Sequence, residues 1–390
     1  MRCGVLHRWL VVPLAAAALL YGGTRALASE PAASSPAPQP PELQAPVPLA
    51  PTGDSAAHED MPPPAAVIDD PHVALLLPLV SPAFARHAEA VRRGFLAAAR
   101  LAGGGSLPVR IYSLGDDPKQ AVEAYVKALG AGARVVVGPL TRNSVTAVAE
   151  SAAVLVPTLV LNAPEGHAAV APEIYTLSLQ VEAEARQVAR LAWQEGRRSV
   201  LTLNGDTPLL KRIHQAFIEE FTRLGGTHAS EHAYSTNQLS LGRVKLAADA
   251  SGVDMAFMAL DVARARIVRP YLGALETYAT SQVYPGNAGP LAGFDLAGVR
   301  FLDMPWLLQP DHAAVMAYPR PDYRDAIELE RFYALGIDAF RAAQALLAGR
   351  ADAALDGVTG RLTLGRDRAF SRGLTPAQFV DGKLTVRAGP

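Results

Sequence analysis

Short polar side chains stand in the loops that follow three apolar, strand-like runs of this sequence. Ser81 follows the first run and Asn162 follows the last. Thr141, Asn143 and Ser144 follow an intermediate run, where a helix is predicted to begin. In open α/β sheets, ligands bind beyond the carboxyl ends of the strands, and free N–H groups at a helix start attract a carboxylate. The loops predict a ligand cleft whose candidate residues are Ser81, Thr141, Asn143, Ser144, Asn162 and Tyr284.

The same residues have a simpler interpretation as helix caps. Ser, Thr and Asn are preferred at helix N-termini, where their side chains accept backbone N–H groups. Thr141, Asn143 and Ser144 can therefore serve the helix that follows them and bind nothing. A large cleft is by itself only a default hypothesis for binding. Both interpretations stay open on the sequence.

Patterns for catalysis and metal binding are weak along the sequence. No G-x-S-x-G turn follows a predicted strand. Gly103–Gly105 lies after a helix and before a strand, the reverse of a phosphate-binding loop. His228 and His232 fall on one predicted strand, where four residues span about 13 Å, too far to share an ion. We therefore expect no enzymatic activity, no cofactor and no metal site.

Charge and cysteine content exclude several classes of protein. The 390 residues include 36 Lys and Arg and 37 Asp and Glu, and half of the chain is hydrophobic. Without residues 1–28, which hold three arginines and no acid, 33 basic and 37 acidic residues give a net charge of −4. A weakly acidic chain is a poor nucleic-acid binder. Cys3 is the one cysteine, so disulfides are not expected to stabilise the fold.

Residues 1–28 have the features of a secretory signal peptide. Arg2 and Arg8 precede the apolar run Leu10–Leu20, and Ala26–Ala28 offers a small-x-small cleavage site. The run is shorter than the roughly 20 residues that span a bilayer, although an uncleaved anchor remains the alternative. We predict export to the periplasm. Because Cys3 precedes the apolar run, where a lipobox cysteine would follow it, we expect no outer-membrane lipid anchor.

Residues 29–71 form a segment of different composition. Twelve of its 43 residues are proline, and large apolar side chains are few. Such a composition cannot bury enough apolar surface to fold. We predict a disordered Pro/Ala-rich linker, acting either as a tether or as a passive tail.

From His72 onward, strand-like and helix-like patterns alternate. One series covers about 72–161 and includes predicted helices at 118–130, which Asp116, Asp117 and Pro118 open, and at 142–153. A second series covers about 181–280 and ends with a predicted helix at 262–273 and a short strand, and a long helix follows at about 324–348. Regular alternation of this kind predicts parallel sheets with helices on both faces. The sequence thus indicates an α/β fold of two similar lobes, each a mostly parallel sheet flanked by helices.

Five segments of the body resemble the penicillin-binding-protein activator family of the LpoA or LppC type. They are Tyr278–Leu308, Arg331–Leu346, Gly357–Leu384, Val73–Leu79 and Val137–Val145. The last two are also similar to amino-acid-binding type I receptors, in which the position resembling Thr141 contacts the ligand. The first, YATSQVYPGNAGPLAGFDLAGVRFLDMPWLL, is the most specific.

The resemblance implies a type I periplasmic-binding-protein fold with three crossovers between its lobes. Lobe one would comprise 72–177 and 310–350, and lobe two 178–309 and 351–386. It further implies a periplasmic regulator that binds and activates a class A penicillin-binding protein in peptidoglycan synthesis. The alternative is a periplasmic receptor for an amino acid or related small molecule.

Overall fold

The computed structural model describes residues 70–166, 171–284, 286, 290–323 and 326–387. The chain divides into two compact units, residues 1–62 and 63–390, and every described residue belongs to the second. The predicted signal peptide and almost all of the predicted linker lie outside the described residues. Within the described ranges, no helix is both long and apolar enough to cross a membrane.

The first sheet is parallel throughout and runs in the order β2-β1-β3-β4-β5. Its strands are β1 (His72–Leu77), β2 (Val109–Ser113), β3 (Ala133–Val137), β4 (Thr158–Val160) and β5 (Ile174–Thr176). Every residue of β1 is buried, because Leu75 and its alternate neighbours face one layer of helices while Leu76 and Ala74 face the other. Burial on both faces explains the unbroken apolar run in the sequence.

Helices α1 (Ala85–Ala102), α2 (Pro118–Gly130) and α3 (Arg142–Glu150) connect these strands, with a 3-10 turn at Gly103–Gly105. The start of α2 follows the sequence prediction. Asp117 accepts a hydrogen bond from the Lys119 N–H, and Pro118 takes the first helical position. Helix α3 ends three residues earlier than predicted.

The second sheet contains five parallel strands in the order β10-β9-β8-β6-β7. They are β6 (Ser199–Asn204), β7 (Thr227–Ala233), β8 (Met255–Ala259), β9 (Thr277–Ala279) and β10 (Arg300–Asp303). The helices are α4 (Val181–Gln194), α5 (Pro208–Arg223), α6 (Gln238–Ala248), α7 (Val262–Val268) and α8 (Pro290–Asp295), with 3-10 turns at Arg269–Leu272 and Ser281–Val283. The predicted helix over 262–273 thus ends as an α-helix at Val268.

Helices α9 (Pro305–Leu308), α10 (Ala313–Met316) and α11 (Ile327–Leu347) follow. Helix α11 returns to the first core and packs directly on α1. A methyl group at Gly94 of α1 would overlap the Tyr333 carbonyl oxygen, and one at Gly336 of α11 would overlap the Val91 carbonyl oxygen. The two backbones approach this closely because glycine stands at both contact points.

The last strands divide between the two cores. β11 (Leu355–Asp356), β12 (Arg361–Leu364) and β13 (Phe370–Gly373) form a small antiparallel sheet. Its Leu362 and Phe370 share a core with β1, α1 and α11. β14 (Thr375–Val380) and β15 (Lys383–Val386) then extend the second sheet beside β10. The lobe boundaries remain a proposal, and these contacts favour a final crossover near Leu374 over one near Ala351.

Candidate functional site

A cavity of about 560 Å³ opens where the carboxyl ends of β3 and β4 face the start of α5. The first lobe contributes the start of α1, the loops after β3 and β4, and one face of α11. The crossover segment Leu179–Glu182 and the first turns of α5 form the opposite wall. The cavity therefore lies between the two lobes, at the strand ends where the sequence predicts a cleft.

Three of the six predicted cleft residues line this cavity: Thr141, Asn143 and Asn162. Asn143 is exposed and Thr141 is half-buried. The Asn162 side chain is engaged by the backbone, because its Nδ2 donates to the Leu140 carbonyl at 3.1 Å and its Oδ1 accepts from the Ala163 N–H at 3.0 Å. Asn162 thus holds two loops in place as well as facing the cavity.

The other three candidates have structural surroundings. Ser81 is fully buried, and its Oγ accepts from the Phe84 N–H at 3.0 Å. Ser144 is buried too, and its Oγ accepts from Thr141 Oγ1 at 2.9 Å. Tyr284 stacks on Phe301 in the second core, 5.6 Å between ring centroids, and is outside the described lining of the cavity. Ligand binding itself stays a prediction.

Charged side chains that the sequence analysis did not single out cross the cavity. Glu182 of α4 lies 3.0 Å from Arg212 of α5 and 3.8 Å from Arg142 of α3. Arg142 belongs to the first lobe, so the carboxylate of Glu182 bridges the cleft. Asp116 is a second carboxylate in the lining, so two guanidinium groups face two carboxylates and their charges balance. Arg142 directly follows Thr141, whereas the approach of the charged groups of α4 and α5 depends on the tertiary fold.

An aromatic wall faces these charges. Phe84 and Phe332 line the cavity beside His87, whose ring meets Phe332 edge-on at 4.8 Å between centroids. His87 Nδ1 is buried and finds no hydrogen-bond partner among the described residues. The cavity therefore offers an occupant apolar surface beside arginine and carboxylate side chains.

A second, smaller cavity of about 290 Å³ lies against the joint between the lobes. There Arg331 of α11 donates to Asp303 at the end of β10 at 2.6 Å and to the Ser281 carbonyl at 3.3 Å. Glu184 of α4 accepts from the Ser281 N–H and, at 3.1 Å, from its Oγ. Arg372, in strand β13 of the small sheet, donates to the Ser178 carbonyl at 3.0 Å. The cluster therefore lies where the chain passes between the lobes, after β5, after β10 and between β13 and β14.

The pKa of Glu184 is strongly perturbed in this cluster. Burial raises its pKa to about 7, with help from the nearby charge of Asp303. The Ser281 N–H and the guanidinium groups of Arg331 and Arg372 oppose the shift. The carboxyl group of Glu184 therefore changes protonation near neutral pH.

Comparison with protein-family models matches residues 67–245 and 237–382 to the family described as "LppC putative lipoprotein". The matches run through both sheets and the joint between them. The chain belongs to the LppC family. The resemblance found in the sequence is thereby confirmed.

Curated relatives of this LppC chain carry the name penicillin-binding protein activator LpoA. The protein from Edwardsiella piscicida is 28% identical over 323 residues, covering 71% of this chain and 46% of the relative. That from Pantoea ananatis is 26% identical over 326 residues, covering 71% and 47%. The chain spans about half the length of the curated relatives it matches.

Solved structures share the fold of the LppC chain. The "putative branched-chain amino acid ABC transporter from Chromobacterium violaceum ATCC 12472" is 39% identical, with a TM-score of 0.69, covering 79% of this chain and 99% of that one. The LpoA C-domain from Haemophilus influenzae, described as a regulator of PBP1A, is 22% identical, with a TM-score of 0.67, covering 81% and 100%. The predicted α/β fold of the periplasmic-binding-protein kind is confirmed.

Proposed function

We propose that this chain is a non-enzymatic periplasmic regulator that binds a class A penicillin-binding protein and promotes peptidoglycan cross-linking. The observation that carries the proposal is the family match through both lobes, together with the activator name of the curated relatives. The signal-like residues 1–28 support a periplasmic location.

The joint between the lobes supports a regulatory role. Two of the family-like segments meet there, because Tyr278–Leu308 carries Asp303 and Arg331–Leu346 begins with its partner Arg331. If a partner recognises how the two lobes are arranged, the contacts at the joint must fix that arrangement. We infer that the synthase recognises the relative position of the lobes, with the joint as the element that fixes it.

Titration of the purified chain against the cognate synthase tests the proposal. Binding is followed by surface plasmon resonance, and cross-linking by chromatography of digested peptidoglycan. We expect saturable binding and a higher cross-linked fraction at saturation. An unrelated two-lobed periplasmic binding protein serves as the control. Lack of binding together with an unchanged cross-linked fraction would reject the proposal.

A second candidate function is that of a solute receptor. It is favoured by the inter-lobe cavity with its two arginines and aromatic wall, and by 39% identity to the Chromobacterium violaceum protein. Thermal-shift screening with amino acids and peptidoglycan fragments tests it, since a ligand at about 100 times its Kd adds roughly 2.7 kcal/mol of stability. Thr141→Val should abolish such a shift. Thr222 is exposed on α5 and outside the described cavity lining, so Thr222→Val should leave the shift intact. A screen without any shift would count against the receptor.

A further inference from the structure

The edge strand β7 contains a bulge that changes which face its side chains occupy. Its register with β6 shifts after Val200, so that His228 pairs with Val200 and Glu231 pairs with Thr202. Val200 and Thr202 are two residues apart and share one face of the sheet. The bulge therefore puts His228 and Glu231, three residues apart, on that same face, as bulges commonly do near functional groups.

Two imidazole groups converge on this face. His214 of α5 is only 7% exposed, and its Nε2 lies 2.9 Å from Thr202 Oγ1. His228 Nε2 lies 2.8 Å from the same Thr202 Oγ1. Burial lowers the pKa of His214, with the Glu231 charge opposing and His228 reinforcing the shift. A neutral imidazole is the form that binds a metal ion.

The Glu231 carboxylate lies beside the two imidazoles, and a hydrogen bond from Asn204 orients it. Its Oε1 accepts a hydrogen bond from Asn204 Nδ2 at 2.6 Å, and its Oε2 lies 4.0 Å from His214 Nε2. Nearly half of the Glu231 side chain is exposed, which leaves room for a water molecule as a further ligand. A hydrogen bond of this kind behind a ligating carboxylate is typical of metal sites.

From this geometry we propose a binding site for a divalent first-row transition metal, zinc in the periplasm, formed by His214, His228 and Glu231. One ligand atom from each residue lies within 4.8 Å of the other two. Two imidazoles and a carboxylate form a donor set that zinc accepts, with bonds of about 2.0–2.2 Å and a ligand-to-ligand spacing of about 3.4 Å. Rotation of the half-exposed Glu231 side chain and small rotations of the imidazoles would bring the three ligand atoms from their present separations, within 4.8 Å, to the spacing that zinc requires.

The competing arrangement is a pair of histidines bridged by the Thr202 hydroxyl. That hydroxyl donates one proton and accepts another, so it can satisfy both nitrogens at 2.8 and 2.9 Å. The bridge between the histidines forms without the Glu231 carboxylate, whereas the proposed metal site needs that carboxylate as a ligand. Substitution of Glu231 therefore separates the two arrangements.

Zinc binding to the full exported chain, prepared without a polyhistidine tag and stripped with a chelator, tests the site. Calorimetric titration with zinc chloride is expected to show one equivalent bound, and cobalt(II) is expected to give the visible absorption of a tetrahedral nitrogen and oxygen site. Glu231→Gln and His228→Gln should each weaken zinc affinity at least about 10-fold. Glutamine at 228 can keep the hydrogen bond to Thr202, so folding is preserved.

His232→Gln provides the matched control. His232 lies on the same strand but pairs with Leu203, whose side chain belongs to the core on the other face of the sheet. Its substitution should leave zinc affinity unchanged. The site is refuted if the wild type binds no zinc, or if Glu231→Gln and His228→Gln bind it as tightly as the wild type. The latter outcome would leave the threonine-bridged histidine pair.

Discussion

The guanidinium group of Arg331 lies 2.6 Å from the carboxylate of Asp303, with only 14% and 3% of the two side chains exposed. Arg331 belongs to α11, which packs into the first core, whereas Asp303 ends β10 of the second sheet. The pair therefore ties one lobe to the other. Both charges have left water, so each depends on the other to offset its desolvation.

Asp303→Asn should lower the free energy of unfolding by about 3–5 kcal/mol, because it leaves the Arg331 charge buried without its partner. Urea denaturation followed by circular dichroism measures the change. The control is Asp249→Asn. It removes a surface ion pair in which Lys245 Nζ lies 3.2 Å from Asp249 Oδ2 and both side chains are 61% exposed. That variant should change stability by less than about 1 kcal/mol. Similar losses in the two variants would contradict a tight joint.

Protonation of Glu184 predicts a pH dependence of stability. Its pKa is about 7 in the folded chain against an ordinary value of 4.5, so between these values the folded state binds more protons than the unfolded state. Raising the pH through this window therefore lowers the free energy of unfolding. Glu184→Gln, which stays neutral, should escape this loss and gain up to about 3 kcal/mol on the wild type between pH 4.5 and 8.

The measurement is a series of urea denaturations across this pH range, for Glu184→Gln and for Glu219→Gln. Glu219 is exposed on α5, and its substitution should run parallel to the wild type at every pH. The charges around Glu184 are those of Asp303, Arg331 and Arg372, and all three are present in both variants. A constant difference between Glu184→Gln and the wild type would show that Glu184 does not titrate in this window.

Two helical glycines with different surroundings, Gly94 at the contact between α1 and α11 and Gly242 in α6, should respond in opposite ways to substitution by alanine. Gly94→Ala should destabilise the fold by about 1–3 kcal/mol, because the added methyl group meets the Tyr333 carbonyl oxygen and must push the helices apart. Gly242→Ala in α6 meets open space, so it should stabilise by about 0.5–1 kcal/mol. Thermal unfolding of both variants tests the pair. A neutral Gly94→Ala would mean that the helices are not in close contact.

The sequence predicts those features that depend on neighbouring residues. The buried run of β1 and the start of α2 at Asp117 are local patterns, and both are present in the structure. The bulge in β7 depends instead on pairing with β6, so strict alternation would have put His228 and His232 on one face. Burial of Ser81 and Ser144 likewise depends on packing. Their polarity and position in the sequence resemble those of the cavity-lining Thr141 and Asn143.

Glu182 provides a test of how firmly the cleft is held. Its carboxylate contacts Arg212 at 3.0 Å and Arg142 at 3.8 Å, and these arginine side chains are 49% and 37% exposed. Because solvent screens such pairs, Glu182→Gln should change the free energy of unfolding by less than about 1 kcal/mol.

Glu182→Gln should nevertheless remove the ionic contact across the cleft and leave the two arginines to repel each other. We expect a larger radius of gyration in small-angle X-ray scattering, strongest at low salt. The control is Glu219→Gln, remote from the cleft lining, and an unchanged radius for Glu182→Gln at every salt concentration would show that other contacts hold the lobes together.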